Sequence, residues 1–94
     1  MNVSAGGGPA GPPPGLTVVV YGRPGCHLCD DAVTVIERVR SRVDFVLHRR
    51  DIEADETLFK RYLERIPVVE IEGDEAFELF VDEHEFERAL RLRK

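Results

Sequence analysis

The sequence predicts an α/β fold in which a four-stranded mixed sheet is covered by helices. Short apolar runs rich in β-branched residues alternate with segments whose apolar residues recur at helical spacing. A glycine-containing turn separates the last two strand-like runs, which is typical of an antiparallel hairpin. The predicted order is therefore β-α-β-α-β-β-α, with no internal repeat.

The first three predicted elements form a βαβ unit. Residues 16–21 are an apolar run without alternation, which favours a strand buried on both faces. A turn rich in Gly and Pro follows, and a helix begins near Cys26. Residues 43–47 alternate around Asp44 and predict the second strand. A right-handed crossover then places the helix on one face of the sheet. Its apolar stripe consists of Ala32, Val35, Ile36 and Val39.

A second helix and a hairpin follow. Residues 67–71 and 76–80 flank a turn over residues 72–75, in which Gly73 supplies a positive φ. Pro67 lies at a strand start, where its missing N–H is tolerated. The second helix is marked by Leu58, Phe59, Tyr62 and Leu63.

The last helix has a well-defined start in the sequence. Asp82 is its predicted N-cap, and Glu85 completes a capping box three residues later. Val81 and Phe86 occupy the two positions of a hydrophobic staple. The chain is therefore expected to turn into this helix directly after the hairpin.

Composition indicates one globular domain preceded by a tail. Of the 94 residues, 43% are hydrophobic and 33% charged. Residues 1–15 are almost all Gly, Pro, Ala and Ser, so we expect a disordered tail at 1–15 and a folded domain at 16–94.

Charge and hydropathy restrict the location and the partners. The sequence has neither a signal-peptide pattern nor the ~20 apolar residues of a membrane span, so we expect a cytoplasmic protein without a membrane partner. The net charge is −5, and no basic cluster is interleaved with aromatics. Nucleic acid is therefore not an expected partner.

The motif Cys26-His27-Leu28-Cys29 lies at a strand-to-helix junction. Free cysteine has a pKa of about 8.5, and the amides at a helix N-terminus stabilise the thiolate. Cys26 is therefore the predicted nucleophile, with positive potential from Arg23 and His27. Cys29 follows one turn later, with Cβ atoms about 5–6 Å apart, and is the predicted, less exposed resolving thiol.

Two other uses of this spacing remain open. A structural zinc needs four ligands, and the chain adds only three histidines, none paired at ligand spacing, so we expect no metal site. A purely structural cysteine pair is the second alternative. The position after a buried strand and at the start of a helix favours redox use over both.

Residues 20–29, which contain the motif, and Ile66-Pro67-Val68-Val69 about forty residues later resemble the glutaredoxin-like family of the thioredoxin superfamily. The resemblance extends over residues 16–90. It implies a thioredoxin-like three-layer fold, with Pro67 in the cis form beside the nucleophilic cysteine. It also implies that the backbone of Ile66 pairs with the substrate.

The sequence departs from the family where glutaredoxins hold glutathione. The usual Gly-Gly pair is replaced by Phe77-Glu78-Leu79-Phe80. We expect Phe77 and Phe80 to be core or packing residues. The cysteines and the proline therefore carry over but the glutathione anchor does not, except that Asp82 stands where it can substitute.

Several residues near the motif are weaker candidates. Arg23 and His27 are candidate substrate-binding residues, and their alternatives are a turn cation and an exposed helix residue. Tyr21 is either a substrate contact or a strand-end aromatic. Arg49 and Arg50 either meet an acidic partner or lie in a solvated loop, which we favour. His48 and His84 are expected at the surface.

The predicted function is reduction of protein or mixed disulfides by Cys26 and Cys29. Disulfide-containing proteins are the expected substrates, glutathione or a thioredoxin-type reductase the electron donor, and no cofactor is expected to be tightly bound. We expect a monomer. One alternative is an iron–sulfur module that uses Cys26, glutathione and a second subunit. Another is a redox-inert adaptor.

Overall fold

A computed structural model describes residues 15–93 of the chain. The predicted tail, residues 1–15, lies outside this range except for its last residue. The observed order of helices and strands is the predicted one, with a short 3-10 helix added after the second strand. The elements are β1 (Thr17–Gly22), α1 (His27–Arg40), β2 (Val46–Asp51), the 3-10 helix (Ile52–Ala54), α2 (Glu56–Tyr62), β3 (Val68–Ile71), β4 (Asp74–Glu78) and α3 (Glu83–Leu92).

The four strands form one mixed sheet in the order β2-β1-β3-β4. β1 pairs in parallel with β2, and β3 pairs antiparallel with both β1 and β4. In this register Val18 lies between Leu47 and Ile71. The pairing brings the carboxyl ends of β1, β2 and β4 and the amino end of β3 to the same end of the sheet.

Two clusters of buried side chains cover the two faces of the sheet, which confirms the three-layer α/β fold. The helices α1 and α3 cover one face, where Ile36 and Phe86 pack against Val18 and Val20. The shorter α2 covers the other face, where Tyr62 packs with Val68 and Ile52. Aromatic rings join α3 to the sheet and to the loop after α1, since Phe86 makes edge contacts with Phe45 and Phe77.

β1 is less completely buried than the sequence predicts. Val18 and Val20 face α1 and α3 and are fully buried. Thr17, Val19 and Tyr21 point to the opposite face and are only half-buried. The prediction of burial on both faces is wrong because that second face is covered by α2, a helix of only seven residues.

The second strand lies three residues later than predicted. Val43 and Phe45 are buried, but they belong to the loop after α1, where the N–H of Val43 bonds to Val39. Pairing with β1 begins at Val46 and continues to Asp51. β2 is an edge strand, and its last four residues, 48–51, are polar and exposed. Apolar periodicity detects the buried loop and does not detect the polar edge strand.

The hairpin turn is tighter than predicted. It contains only Glu72 and Gly73, both with positive φ, so the second strand starts at Asp74. β4 therefore ends at Glu78, two residues before the predicted end. Phe77 packs against the core, as expected, but Phe80 is 70% exposed. The prediction that Phe80 is a core or packing residue is wrong.

Side-chain caps fix the starts of α2 and α3. A carboxylate oxygen of Asp82 accepts the N–H of Glu85 at 2.9 Å, as the predicted N-cap requires. Val81 and Phe86 are both buried. Asp55 caps α2 in the same way, accepting from the second and third residues of the helix. Within residues 15–93, no helix combines the length and the apolarity needed to cross a bilayer.

Candidate active site

The two cysteines are placed by the connection from β1 to α1. Gly25 has a φ of 79°, a conformation that glycine adopts without steric cost, and it turns the chain into the helix. Cys26 is the N-cap residue of α1, and its Sγ accepts the N–H of Cys29 at 3.2 Å. A sulfur at this position faces the unpaired amides of the first helical turn, which favour negative charge.

Cys26 and Cys29 form a disulfide, with Cα atoms 5.2 Å apart. Their exposure differs: Cys26 is half-buried, whereas Cys29 is only 3% exposed. Cys29 belongs to the buried cluster beneath α2, and Cys26 packs against it. Cys26 is therefore the more exposed residue of the pair and Cys29 the less exposed, in the order that the sequence predicts.

Gly22, the last residue of β1, makes room for Cys29. A Cβ atom at this position would stand 2.9 Å from the Sγ of Cys29, closer than real Cβ contacts come. No sequence pattern distinguishes Gly22, because a glycine before a turn needs no further explanation. Its place four residues before the first cysteine is the only signal that the sequence offers.

The Ile66–Pro67 segment directly precedes β3. It therefore lies at the end of the sheet where β1 ends and the cysteine loop begins. The peptide bond between these residues is cis, as the family resemblance implies. Ile66 is buried in the cluster that contains Cys29. The carbonyl oxygen of Pro67 accepts the N–H of Leu79 at 2.8 Å, which ties the segment to the end of β4. The structure thus brings together Cys26, Cys29, Ile66 and Pro67.

Two tyrosines pack behind the disulfide around a carboxylate. The rings of Tyr21 and Tyr62 lie 4.7 Å apart, and the Tyr21 hydroxyl donates to Glu70 at 3.1 Å. Burial, reinforced by the hydrogen bond to Glu70, raises the pKa of Tyr21. Burial also raises the pKa of Tyr62, although Arg61 acts against it. The hydroxyl of the half-buried Tyr21 is therefore engaged by a carboxylate of the protein itself.

Arg65 holds the chain just before Ile66. Its guanidinium forms ion pairs with Glu75 and Glu78 and lies over the Tyr62 ring, 5.4 Å from the centroid. The Arg65 side chain, through hydrogen bonds and charge, lowers the pKa of Glu75. Arg65 therefore ties the residue before Ile66 to β4 through ion pairs that only the folded chain brings together.

The weaker sequence candidates lie around the cysteine loop. Arg23 is exposed and stands 3.6 Å from Glu53, and His27 is exposed on the first turn of α1. Arg23 and Arg49 also line a cleft of about 350 Å³ that reaches Cys29 from the α1 side of the sheet. His48 and His84 are exposed, as expected.

A mixed sheet between helix layers, with a CxxC disulfide opening a helix and a cis proline nearby, defines the class of thioredoxin-fold proteins. The chain belongs to the glutaredoxin-like domain family (DUF836), whose model matches residues 17–91. At this level the fold and the CxxC pair indicate a role in thiol–disulfide redox chemistry. No curated protein matches the sequence significantly.

Solved structures agree with this assignment. Protein Ne2328 from Nitrosomonas europaea is similar over 96% of this chain and 99% of its own, with 28% identity and a TM-score of 0.71. A thioredoxin from Halobacterium salinarum matches 85% of this chain and 75% of its own, at 18% identity and a TM-score of 0.62. A Fasciola hepatica thioredoxin matches 84% and 81%, at 16% identity and a TM-score of 0.61. The two thioredoxins support the fold alone.

Proposed function

We propose that the protein is a thiol–disulfide oxidoreductase that reduces protein or mixed disulfides. Cys26 is the nucleophile and Cys29 the resolving thiol. The observation that carries this proposal is the contrast between the two sulfurs: Cys26 is half-buried at the helix N-cap, and Cys29 is buried behind it. Helix N-termini are the positions at which reactive cysteines are found as thiolates.

The proposed reaction transfers two electrons in two exchanges. The Cys26 thiolate attacks one sulfur of the substrate disulfide, so a mixed disulfide forms and the other substrate sulfur leaves as a thiolate. Cys29, after losing its proton, attacks the Sγ of Cys26 and releases the second substrate thiolate. The protein ends with the Cys26–Cys29 disulfide, the substrate holds two thiols, and an external dithiol or glutathione must restore the reduced protein.

The residues around the cysteines have proposed roles in substrate binding. Ile66 would pair its backbone with an extended substrate, and Pro67 would shape the surface beside the attacking sulfur. Arg23 is exposed near the N-terminus of α1, where its positive charge supports a thiolate or a substrate carboxylate, and His27 is exposed beside it. Of these, Arg23 is already engaged by Glu53 at the protein surface.

The remaining features of the proposal are expectations from the sequence. We expect a cytoplasmic monomer that acts on disulfide-containing proteins, with glutathione or a thioredoxin-type reductase as electron donor. Asp82, the only counterpart to the glutathione anchor, already caps α3 with its carboxylate. This engagement favours a protein reductase as the donor over glutathione held at that position.

Two single variants test the order of the cysteines. With a peptide disulfide as substrate, Cys29→Ser should accumulate a mixed disulfide through Cys26, detected by mass spectrometry, because no second thiol can resolve it. Cys26→Ser should form none. In the wild type, the more reactive thiol should titrate below about 8.5, the value of free cysteine. Equal trapping by both variants would contradict the proposal.

A coupled assay identifies the electron donor. Insulin reduction would be followed in parallel with glutathione plus its reductase and with thioredoxin reductase. We expect faster turnover with thioredoxin reductase, since the glycine pair that holds glutathione is missing. Faster turnover with glutathione would assign the chain to the glutathione-dependent branch while leaving the cysteine roles intact.

A further inference from the structure

The buried thiol of Cys29 has to lose a proton before it can resolve a mixed disulfide. Only the thiolate of a cysteine attacks a disulfide, and apolar surroundings disfavour the thiolate. Cys29 is 3% exposed and lies in a buried cluster with Ile52, Tyr62 and Val68. Within residues 15–93, no buried side chain is a carboxylate, an imidazole or an amine. The acceptor for this proton therefore lies outside the core.

A cleft on the α1 side of the sheet gives access to Cys29. It has a volume of about 350 Å³, and its lining includes two carboxylates, those of Asp30 and Asp51. A polar cleft of this size admits water. A base takes a proton either in direct contact with it or through one water molecule. A carboxylate in this cleft is therefore within reach of the proton of Cys29.

The pairing of β1 with β2 places Asp51 beside the sulfur of Cys29. Asp51 is the partner of Gly22 in this parallel pair, and neighbouring strands lie about 4.8 Å apart. Paired residues direct their side chains to the same face of the sheet. A Cβ atom on Gly22 would stand 2.9 Å from the Sγ of Cys29, so that face is the one on which the sulfur lies. Because Gly22 has no side chain, position 22 leaves the path from Asp51 to the sulfur open.

Hydrogen bonding fixes the Asp51 carboxylate. Its Oδ1 accepts the N–H of Glu53 at 2.8 Å and caps the 3-10 helix, which leaves the second oxygen for another partner. Asp51 is exposed, so a proton that it accepts can pass on to solvent. Asp30 is less suited to this role, because its side chain is 66% exposed and lies 4.0 Å from the guanidinium of Arg49.

We propose that Asp51 accepts the proton of Cys29 in the second exchange. This proposal rests on the proposed function and adds a residue to its mechanism. The carboxylate takes the thiol proton through the water of the cleft while the Cys29 sulfur attacks the Sγ of Cys26. The bond between Cys26 and Cys29 forms, the bond from Cys26 to the substrate sulfur breaks, and its electron pair leaves with the substrate thiolate. Asp51 then returns the proton to solvent.

Other charged groups surround Asp51 in the cleft. They come from the loop after β1, from α1, from β2 itself and from the 3-10 helix, namely Arg23, Asp30, Arg49, Arg50 and Glu53. The arginines stay charged at every pH of the test. The variants below therefore change one carboxylate at a time.

A symmetrical disulfide of thionitrobenzoate separates the two exchanges. Attack by Cys26 of the reduced protein releases one thionitrobenzoate, and attack by Cys29 releases the second, so the absorbance rises in two phases. Asp51→Asn removes the base and keeps an oxygen that can accept the N–H of Glu53. We expect an unchanged first phase and a second phase slowed about a hundredfold, the lower end of what a positioned general base contributes.

Two further readouts separate proton transfer from a structural effect. The second phase of wild type should change little between about pH 6 and 8, because the carboxylate takes the proton. That of Asp51→Asn should rise steeply with pH, because solvent then has to take it. Asp51→Ala leaves space for a small carboxylate, so added formate should restore its second phase in proportion to the formate concentration.

Asp55→Asn is the matched control. Asp55 caps α2 as Asp51 caps the 3-10 helix, by accepting backbone N–H groups, and it does not belong to the lining of the cleft. We expect both of its phases to equal those of wild type. Circular dichroism melting verifies that each variant is folded.

The outcomes distinguish failure of this inference from failure of the proposed function. An unchanged second phase in Asp51→Asn, or a slowing found only in Asp30→Asn, overturns the assignment and leaves the exchange chemistry standing. Equal slowing of both phases, equal slowing in Asp55→Asn, or no effect of formate on Asp51→Ala also overturns it, because each indicates a structural role. A second phase of wild-type rate in Cys29→Ser overturns the proposed function itself.

Discussion

Gly22 lies so close to the Cys29 side chain that position 22 has no room for a side chain of its own. A Cβ atom there would lie 2.9 Å from the Sγ and 3.1 Å from the Cβ of Cys29. Both residues are buried, so neither can move into solvent to relieve the contact. The end of β1 therefore fixes the position of the buried sulfur.

Replacing Gly22 by alanine should destabilise the protein by about 1–3 kcal/mol, the usual cost of overpacking. Equilibrium urea unfolding of the oxidised protein measures this difference. The cost should be smaller in a Cys29→Ala background, because the Sγ that the new methyl group meets is absent. Equal costs in the two backgrounds would show that the glycine is needed for another reason.

The sequence locates the cysteine pair better than it predicts the residues around it. Cys26 and Cys29 are identifiable because strand, turn and helix signals place the motif at a helix N-terminus. The cis form of Pro67 comes only from the family resemblance, since most X-Pro bonds are trans. The contact between Gly22 and Cys29 depends on how α1 packs against β1, which no local pattern encodes.

The errors in the fold have a common physical origin. Apolar periodicity finds buried residues whether or not they pair in a strand, so it predicts a strand at Val43 and Phe45, which lie in the loop after α1. It also misses polar edge strands such as residues 48–51. The sequence predicts Phe80 as a core or packing residue, but β4 ends before the positive φ of Leu79, and Phe80 beyond it is exposed.

Neutralising Glu70 should lower the pKa of Tyr21. Burial is the largest cause of the raised value, and the hydrogen bond and charge of Glu70 come next, so Glu70→Gln should bring the pKa down toward 10.0 without reaching it. An absorbance titration of tyrosinate in a Tyr62→Phe background isolates Tyr21, because the chain has two tyrosines. Glu37→Gln, an exposed change on α1, should leave the titration unaltered.

The raised tyrosine pKa values also predict alkaline instability. A group whose pKa is higher in the folded than in the unfolded state stabilises the fold fully below the unfolded value, here 10.0. That stabilisation is lost as the pH rises through the folded value. The urea concentration at the midpoint of unfolding should therefore decrease as the pH rises above 10. This decrease should be smaller in a protein with Tyr21→Phe. An equal fall in both proteins would assign the instability to other groups.

The ion pairs of Arg42 should stabilise the protein at neutral pH, and this stabilisation should be lost in acid. Arg42 lies in the turn after α1 and contacts Glu83 at 3.0 Å and Glu87 at 2.8 Å on α3. Hydrogen bonds from Arg38 and Arg42 lower the pKa of Glu83, and those from Arg42 and Arg91 lower the pKa of Glu87. Lowered carboxyl pKa values stabilise the fold above the unfolded value of 4.5 and cease to do so as the pH falls through the folded values.

The corresponding measurement is urea unfolding of wild type and Arg42→Gln across this range. Wild type should be the more stable protein at pH 7, and the two curves should converge below pH 4.5 as the carboxylates protonate. Added salt should reduce the difference, because these charges are at the surface. Arg88→Gln, which removes a charge paired with Glu85 at 3.6 Å on the same helix, should have a smaller effect. A difference that persists unchanged at low pH would mean that Arg42 acts through packing.

Replacing Leu79 by glycine should stabilise the protein, although it removes an apolar side chain. A left-handed conformation costs an L-residue roughly 1–2 kcal/mol, and glycine does not bear that cost. Leu79 is 45% exposed, so the burial lost with its side chain is limited. Leu79→Ala keeps the φ of 68° and loses the same contacts, so it should be less stable than Leu79→Gly in thermal unfolding. The reverse order would show that the leucine side chain stabilises the loop after β4.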